Sequence, residues 1–423
     1  MSELGTNPLA AGEKNISVDD ARAAIAAAIR PVRATESVPL GAALGRVLAS
    51  AVISPIDVPA HDNSAMDGYA FDGAALRPGA ALALRSVGTI YAGQPATVDV
   101  RAGDCVRIMT GAVMPNGLDT VAPLELCRVD GERVVVKADA VHAGEHRRRR
   151  GEDLAVGKPA LQAGRVLRPA DIGLIASLGL TEVTVVRQVA VAVFSTGDEV
   201  VAPGQPLPAN CIYDSNRFAL IAAIQRLGMR PVDYGLLRDD RATLQAALDR
   251  ALGEVDAIVI SGGASAGDAD YTREVMARMG SVDFWKIAMR PGRPFAFGSL
   301  AATEGRRVWL FALPGNPVAA LVTFYVFARE GLQRLAGADA APLVALQVRS
   351  AVTIRKRPGR TEFQRGVVTR GADGRLEVRG AASQGAGVLR SMSEANALIV
   401  LGHAQGSVDA GDPVDVWLFD GLT

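Results

Sequence analysis

Hydrophobic positions recur with different periods in different stretches of this chain, and those periods divide it. Residues 1–15 are polar and aperiodic, which predicts a disordered leader. Ser17 then stands as an N-cap, with Asp20 at the position of a capping-box acid. Val18, Ala21, Ile25 and Ile29 fall near one face of the helix that follows, and Pro31 ends it. From about Ala60 to Ala140 the pattern is strand-like: Ala81–Ile90, Cys105–Met109, Val121–Val129 and Arg133–Val136 are separated by Gly, Pro, Asn and Asp, as in a small β domain. The charged stretch Gly144–Asp153 reads as a connector. Arg165–Leu180 reads as a helix, with Pro169 near its start and Gly179 near its end.

From Val189 to about Leu335 strands and helices alternate. Val189–Phe194, Arg230–Leu236, Ala257–Ile260 and Val308–Leu313 have strand character. Arg217–Leu227, Thr243–Leu252, a segment near Arg273–Met279, and Val318–Leu335 have helical character. Such alternation predicts a parallel sheet covered on both faces, with ligands outside the carboxyl ends of the strands. The tail alternates again, with strands expected at Ala345–Ile354, Arg375–Val378, Ala397–Leu401 and Val414–Phe419, so a second small β domain or barrel closes the chain.

Length and charge narrow this picture. A chain of 423 residues accommodates about two to four domains. Lys plus Arg and Asp plus Glu both number 45, so no global field calls for nucleic acid or a membrane surface. Cys105, Cys127 and Cys211 are too scattered for a metal site or a disulfide framework, which suits a reducing compartment. No uncharged apolar run reaches the ~20 residues that span a bilayer, and the start lacks a signal-peptide pattern. The expectation is a cytoplasmic protein.

Chemistry is concentrated in loops after the predicted strands. Ser261–Asp270 is built from Gly, Ala, Ser and Asp between an apolar strand and a helix, an arrangement that favours anions. Asp268 and Asp270 in that loop would repel a bare phosphate, so a phosphate-bearing ligand with a divalent cation is expected. Neither a P-loop nor a dinucleotide fingerprint is present, which argues against a nicotinamide dehydrogenase. Ser195-Thr-Gly-Asp-Glu199 could equally be an ordinary exposed turn, and Asp214-Ser-Asn216 plain N-capping. Leu313-Pro-Gly-Asn-Pro317 makes a stiff turn into a helix, and Arg290-Pro-Gly-Arg-Pro294 holds two guanidiniums on a rigid segment suited to oxyanions. The run Arg147–Arg150 reads as a solvated face.

Asp62-Asn-Ser-Ala-Met-Asp-Gly-Tyr-Ala70 resembles the signature of the molybdopterin molybdenumtransferase family, the molybdenum insertases. Arg107-Ile-Met-Thr-Gly111, Arg149-Arg-Gly-Glu-Asp153, Ser195–Glu199, Ser261-Gly-Gly-Ala-Ser-Ala-Gly267 and Leu313–Pro317 match in the same order. The resemblance covers the chain from about Ser17 to its end. It implies a multidomain α/β plus β fold. Its parts are a split helical linker domain (16–59 and 141–185), an inserted β domain (60–140), an α/β molybdopterin-binding domain (186–340) and a C-terminal β barrel (341–423). It further implies a homodimer whose active cleft is shared between subunits, and a reaction in which molybdate and adenylylated molybdopterin give molybdenum cofactor and AMP. A molybdopterin adenylyltransferase would be the upstream donor.

Residue by residue, the resemblance marks Asp62, Thr110, Asp153, Glu199 and Asp239 as catalytic and Asp270 as functional; Asp268 joins Asp270 from the loop's own carboxylates, and the resemblance implies Mg2+ as the cation they hold. Ser195, Thr196, Ser261, Gly262, Gly263, Ser265, Gly267, Arg290, Arg293, Pro314, Gly315, Asn316 and Pro317 would bind substrate. Many relatives carry Lys where this chain has Arg290 and Arg293. A tungstate-handling enzyme or a non-catalytic pterin scaffold are the rival readings, and the retained acids disfavour the scaffold.

Overall fold

The computed structural model describes residues 15–238, 240–262, 275, 278–302, 305–339 and 343–419. The expected leader, save Asn15, and most of the helix expected near Arg273–Met279 lie outside them. Contacts divide the chain into two compact units: the first from Met1–Ala49, Gly164–Leu167 and Thr184–Thr423, the second from Ser50–Ala163 and Arg168–Val183.

The first unit is organised on a seven-stranded sheet: β1 (Asn15–Ile16), β2 (Ala190–Thr196), β3 (Arg230–Leu237), β4 (Ala257–Ser261), β5 (Gly280–Ile287), β6 (Pro294–Ala301) and β7 (Arg307–Leu313). Their spatial order is β1-β5-β6-β7-β4-β2-β3. β3, β2, β4 and β7 run parallel. The four strands expected to lie parallel do so; two strands not anticipated extend the sheet antiparallel, since β5 pairs antiparallel with β6 and β6 with β7. A tight connection through Pro291 and Gly292 joins β5 to β6, and antiparallel neighbours need no crossover helix.

Side chains alternate across the sheet, so each parallel strand feeds two cores. Val191, Val193, Val259, Phe311 and Leu313 face one side, with α1 (Val18–Ala28), α2 (Asn216–Arg226) and α4 (Pro317–Thr323) packed there. Ala192, Phe194, Ile258, Ile260 and Leu310 face the other, covered by Leu244, Leu248 and Ala251 of α3 (Arg241–Glu254). Ser17 caps α1 as its spacing predicts, accepting the Asp20 N–H at 3.0 Å. The long helix expected over Val318–Leu335 is α4, a π turn (Phe324–Ala328) and α5 (Arg329–Leu335). Just before the π turn, the buried Thr323 hydroxyl donates to the Ala319 and Ala320 carbonyls, the kind of insertion that bends a helix.

The same unit carries a barrel of five strands, Leu346–Ser350, Thr361–Arg370, Leu376–Gly380, Ala397–Leu401 and Pro413–Leu418. It closes because Thr361–Arg370 pairs with both Leu376–Gly380 and Ala397–Leu401. The second unit holds a six-stranded sheet with a core on each face, around Phe71, Cys105 and Val134 on one side and Ile90, Val106 and Ile108 on the other.

The split linker is less helical than the resemblance implies. α1 packs into the core of the first unit rather than into a separate linker body. The rest of 16–59 and 141–185 contains one further α-helix, Pro169–Ser177, and otherwise short strands and 3-10 turns. Pro39, Pro55 and Pro59, with Gly41 and Gly45, leave no room for a longer helix after α1. Gly144–Asp153 is likewise no free connector, since Arg147–Arg148 pairs antiparallel with Asn63–Ser64.

Phe311 is fully buried, and its ring lies tilted against Phe297 with centroids 5.3 Å apart. Phe311→Ala should destabilise the first unit by about 3–5 kcal/mol, read as a lower urea midpoint for that unit. An unchanged midpoint would remove this ring from the core that supports the site.

Candidate functional site

At the carboxyl ends of β2, β4 and β7 the chain forms a small open cleft, with a cavity volume of about 40 Å³. Ser195, Thr196, Glu199, Tyr213, Asn216 and Ser261 are among its lining residues, with Gly315 and Pro317. Parallel strands that end side by side bring these loops together, and the cross-links between loops are polar. The Asn216 side-chain amide donates to the Ser261 hydroxyl and to the Gly315 carbonyl, both at 2.7 Å. The buried Asp214 carboxylate accepts the Ser195 hydroxyl at 2.9 Å, the Arg217 backbone N–H at 3.2 Å and the Arg217 Nε–H at 2.8 Å. Arg217 also donates to Asp233, so its charge is doubly matched. The segment Asp214–Asn216 therefore does more than start α2, which is the part plain N-capping would leave unexplained.

Backbone contact is equally tight. Gly262 has φ +97°, and a Cβ there would lie 2.6 Å from the Thr196 hydroxyl oxygen and 2.7 Å from its carbonyl oxygen. Only glycine fits that position. Gly262 donates its N–H to the Leu313 carbonyl at 3.2 Å, which holds the start of the glycine-rich loop against the end of β7. Glu199 is exposed, and its carbonyl accepts the Ile212 N–H at 2.8 Å. Pro317 occupies the first turn of α4. Asp239, Gly263, Ser265, Gly267, Asp268 and Asp270 lie outside the described residues.

A second polar centre lies at Arg290–Arg293. Both arginines are exposed. Gly292 has φ +93°, and a Cβ there would meet the Thr323 methyl at 2.4 Å, so the loop rests directly on α4. Arg290 pairs in register with Glu362 of the barrel strand Thr361–Arg370. Three residues along that strand is Arg365, which is 1% exposed. Its Nε–H donates to Ser391 at 3.1 Å, and one terminal nitrogen donates to the Ser383 and Gly385 carbonyls at 3.1 and 3.0 Å. Burial, and then the field of Arg290, push its pKa down. Its hydrogen-bond partners are neutral, so no carboxylate balances this buried charge among the described residues. The loop after Ser383 also touches α4, because Ala386 accepts the Val318 N–H at 3.0 Å. Sequence reading missed Arg365 because a lone arginine in a strand reads as surface charge.

In the second unit the sequence-marked segments also meet. Asp62 accepts the Arg150 N–H at 2.8 Å and lies 3.6 Å from the Arg147 guanidinium. Gly111 donates its N–H to the Ser64 carbonyl, and Asp153 donates its own to Val58. Asp57, which sequence reading passed over, accepts both Arg150 Nε–H at 2.6 Å and Val156 N–H at 2.8 Å. Thr110 uses its N–H and its hydroxyl on one oxygen of Asp67, at 2.7 and 2.8 Å. Asp62, Thr110 and Asp153 thus share one polar surface region of this unit.

The comparisons with known proteins bear on these two units. Models described as the MoeA N-terminal region (domain I and II), a probable molybdopterin binding domain and the MoeA C-terminal region (domain IV) match residues 16–179, 192–334 and 347–419. A molybdopterin molybdenumtransferase of Haemophilus influenzae is 37% identical over 96% of this chain and 99% of its own. The chain belongs to the molybdopterin molybdenumtransferase family. Molybdopterin molybdenumtransferase 2 of Mycobacterium tuberculosis is 36% identical over 92% of this chain and 95% of its own. The crystal structure of a molybdopterin biosynthesis moeA protein from Pyrococcus horikoshii superposes with a TM-score of 0.79 at 26% identity, covering 96% of this chain and all of that one. The family pattern of an α/β domain, an inserted β domain and a closed terminal barrel is the pattern seen here.

Two outcomes follow from this geometry. Asn216→Ala removes both loop ties while leaving α2 intact, so substrate KM should rise by about tenfold or more with thermal stability within a few degrees of the parent. Unchanged KM would show that the ties are dispensable. In the second unit, Thr110 holds the Asp67 carboxyl below the usual carboxylate range through its N–H first and its hydroxyl second. A depressed folded pKa contributes stability above the unfolded value, near pH 4, and loses it as pH falls through the lowered folded value. Asp67→Asn should therefore be less stable than the parent at neutral pH, and the gap should close as the solution is acidified through that range. A gap that stays constant with pH would count against the Thr110–Asp67 bonds.

Proposed function

We propose that this chain transfers molybdenum from molybdate to adenylylated molybdopterin, yielding molybdenum cofactor and AMP. The observation that carries this reading is the junction of two sites along α4: the hydroxyl-lined cleft at its first turn, and the cluster of Arg290 and Arg365 beside it. The cleft suits a pyrophosphate, with hydroxyls from Ser195, Thr196 and Ser261 and close backbone approach at Gly262 and Gly315. The arginines suit a tetrahedral dianion, which needs donors in fixed directions. Cleaving a phosphoanhydride rests mainly on positioning and charge neutralisation, and both are what these residues supply.

The donor set at the cleft is oxygen only, with Glu199 exposed at its rim, which fits a hard cation. Mg2+ would be held by Asp268 and Asp270 and would add charge neutralisation when bound. Among the described residues no cluster of three or more His, Cys, Asp or Glu could hold a metal by itself, so the acids of the 263–274 segment are needed. Ser195 is oriented by Asp214, and the Arg217 pairing holds the Asp214 carboxylate in place. Glu199 and Asp239 complete the acid set on this unit. Asp62, Thr110 and Asp153 act on the same substrate from the second unit of a partner subunit, in a homodimer. A molybdopterin adenylyltransferase supplies the substrate, and the setting is cytoplasmic, in keeping with three unpaired cysteines.

Purified protein given adenylylated molybdopterin, Mg2+ and molybdate should release AMP in a molybdate-dependent manner. AMP release that ignores molybdate would overturn the reading. Mixed dimers of an Asp62→Ala chain and an Asp270→Ala chain should regain part of the activity each lacks, whereas verified heterodimers with no recovery would refute the shared cleft. Arg365→Ala and Arg293→Ala should each raise the half-saturating molybdate concentration by about one to two decades, since a hydrogen bond to a charged group contributes ~1.5–3 kcal/mol. Values within about twofold of the parent, far below one tenfold step, would place the oxyanion elsewhere.

A further inference from the structure

The opposite edge of the same sheet has a second cleft, which the proposed transfer reaction does not use. It is an open concavity of about 470 Å³ at the amino-terminal ends of β2, β4 and β7, beside the end of α1. β2 alone has seven residues, so roughly 20 Å of sheet at ~3.3 Å per residue separates the two clefts. Arg30, Arg33, Arg187, Arg306 and Arg307 line it, facing one carboxylate, Asp256. Its floor is apolar, formed by Pro31, Val32, Trp309 and Leu335.

The arginines divide by what holds them. Arg187 grips Asp256 with two nitrogens, at 2.8 and 3.1 Å, so the single carboxylate is already matched. Glu36, whose field also reaches Arg187, is taken up by Arg46 and the Gln188 N–H. Arg306 donates to the Leu252 and Val255 carbonyls at the end of α3. Arg30 donates to the Ala27 carbonyl at 2.7 Å at the end of α1. Those carbonyls carry the partial negative charge of helix ends, so both side chains are fixed in place, with no carboxylate partner among the described residues. Arg33 and Arg307 are exposed and make no hydrogen bond or ion pair among the described residues. In a chain with no net charge, four guanidiniums in one concavity with no carboxylate partner among the described residues are a local concentration of positive potential. Guanidiniums bind phosphate through planar pairs of donors, and concavity with an apolar floor favours a compact ligand with an organic body over a flat protein surface.

We propose that this cleft binds a small anion carrying two or more phosphate groups, with the phosphates on Arg33 and Arg307 and the organic body on the Pro31–Leu335 floor. The assignment stands on the cleft itself and not on the transfer reaction at the other edge. Calorimetric titration of the full-length protein with inorganic pyrophosphate and with ADP, at ~0.15 M salt where loose surface attraction is screened, tests it. Both probes should bind, ADP more tightly than pyrophosphate. The double variant Arg33→Gln/Arg307→Gln should weaken both by about tenfold or more. The single variant Arg33→Gln should give a smaller loss and guards against misfolding of the double. Arg290→Ala/Arg293→Ala, at the other edge, should leave this binding unchanged. Affinity weaker than about 1 mM for both probes, binding indifferent to the Arg33 and Arg307 changes, or binding lost only with Arg290 and Arg293 would each overturn the proposal. None of these outcomes depends on whether the protein releases AMP.

Discussion

The Asn216 side-chain amide reaches Ser261 at the end of β4 and Gly315 at the end of β7 from the first residue of α2. Those two hydrogen bonds hold three loops in one arrangement, and the rest of the site depends on it. The hydroxyls of Ser195, Thr196 and Ser261 face the cleft only while their strands end in register, and the register itself comes from the β2–β4 and β4–β7 pairing. Gly262 then lies so close to Thr196 that no side chain fits between them. A cleft built this way is stiff before any ligand arrives, and preorganisation is what charge-neutralising chemistry requires.

Charge is placed with the same economy. Asp214 is buried, yet Ser195 and Arg217 satisfy it, so it orients a hydroxyl without being left exposed to a ligand. Arg365 is buried among neutral acceptors instead, and its lowered pKa reflects the work of keeping it charged there. The contrast separates a buried ion pair from a buried cation held by neutral groups alone. A sheet that ends in hydroxyls and arginines at one edge, and in a separate arginine-lined cleft at the other, can meet two different anions without their competing for the same groups.

Much of the fold was legible from the chain. The parallel strands sit within a residue or two of where apolar runs ending in Gly, Ser or Pro place them, because a doubly covered strand is apolar on both faces. The Asp62–Ala70 and Ser195–Glu199 segments marked where polar loops would gather. Other parts were hidden for physical reasons. Gly280–Ile287 and Pro294–Ala301 were not read as strands, because the intervening Pro291 and Gly292 look like loop, the first run mixes Asp283 and Lys286 with aromatics, and Pro294 and Gly298 interrupt the second. Thr361–Arg370 escaped notice since Glu362, Gln364 and Arg365 break its alternation, although the first and last of these are buried and paired. Asp57, Asp214 and Arg365 act through tertiary partners distant in sequence, which no local pattern encodes. The short paired strands around Arg147–Arg148 were masked by a run of like charge that ordinarily marks a solvated segment.

The central claim is that the carboxyl-edge cleft, tied by Asn216, receives the adenylylated pterin. Amide hydrogen exchange on the full-length protein, with and without adenylylated molybdopterin, reads this without relying on turnover. The account predicts that bound substrate slows exchange in peptides covering Ser195–Glu199, Asp214–Asn216, Ser261–Gly262 and Leu313–Pro317, and leaves the Arg30–Ala34 segment at the opposite edge unchanged. Protection confined to other regions, with these four segments exchanging as fast as in the free protein, would contradict it.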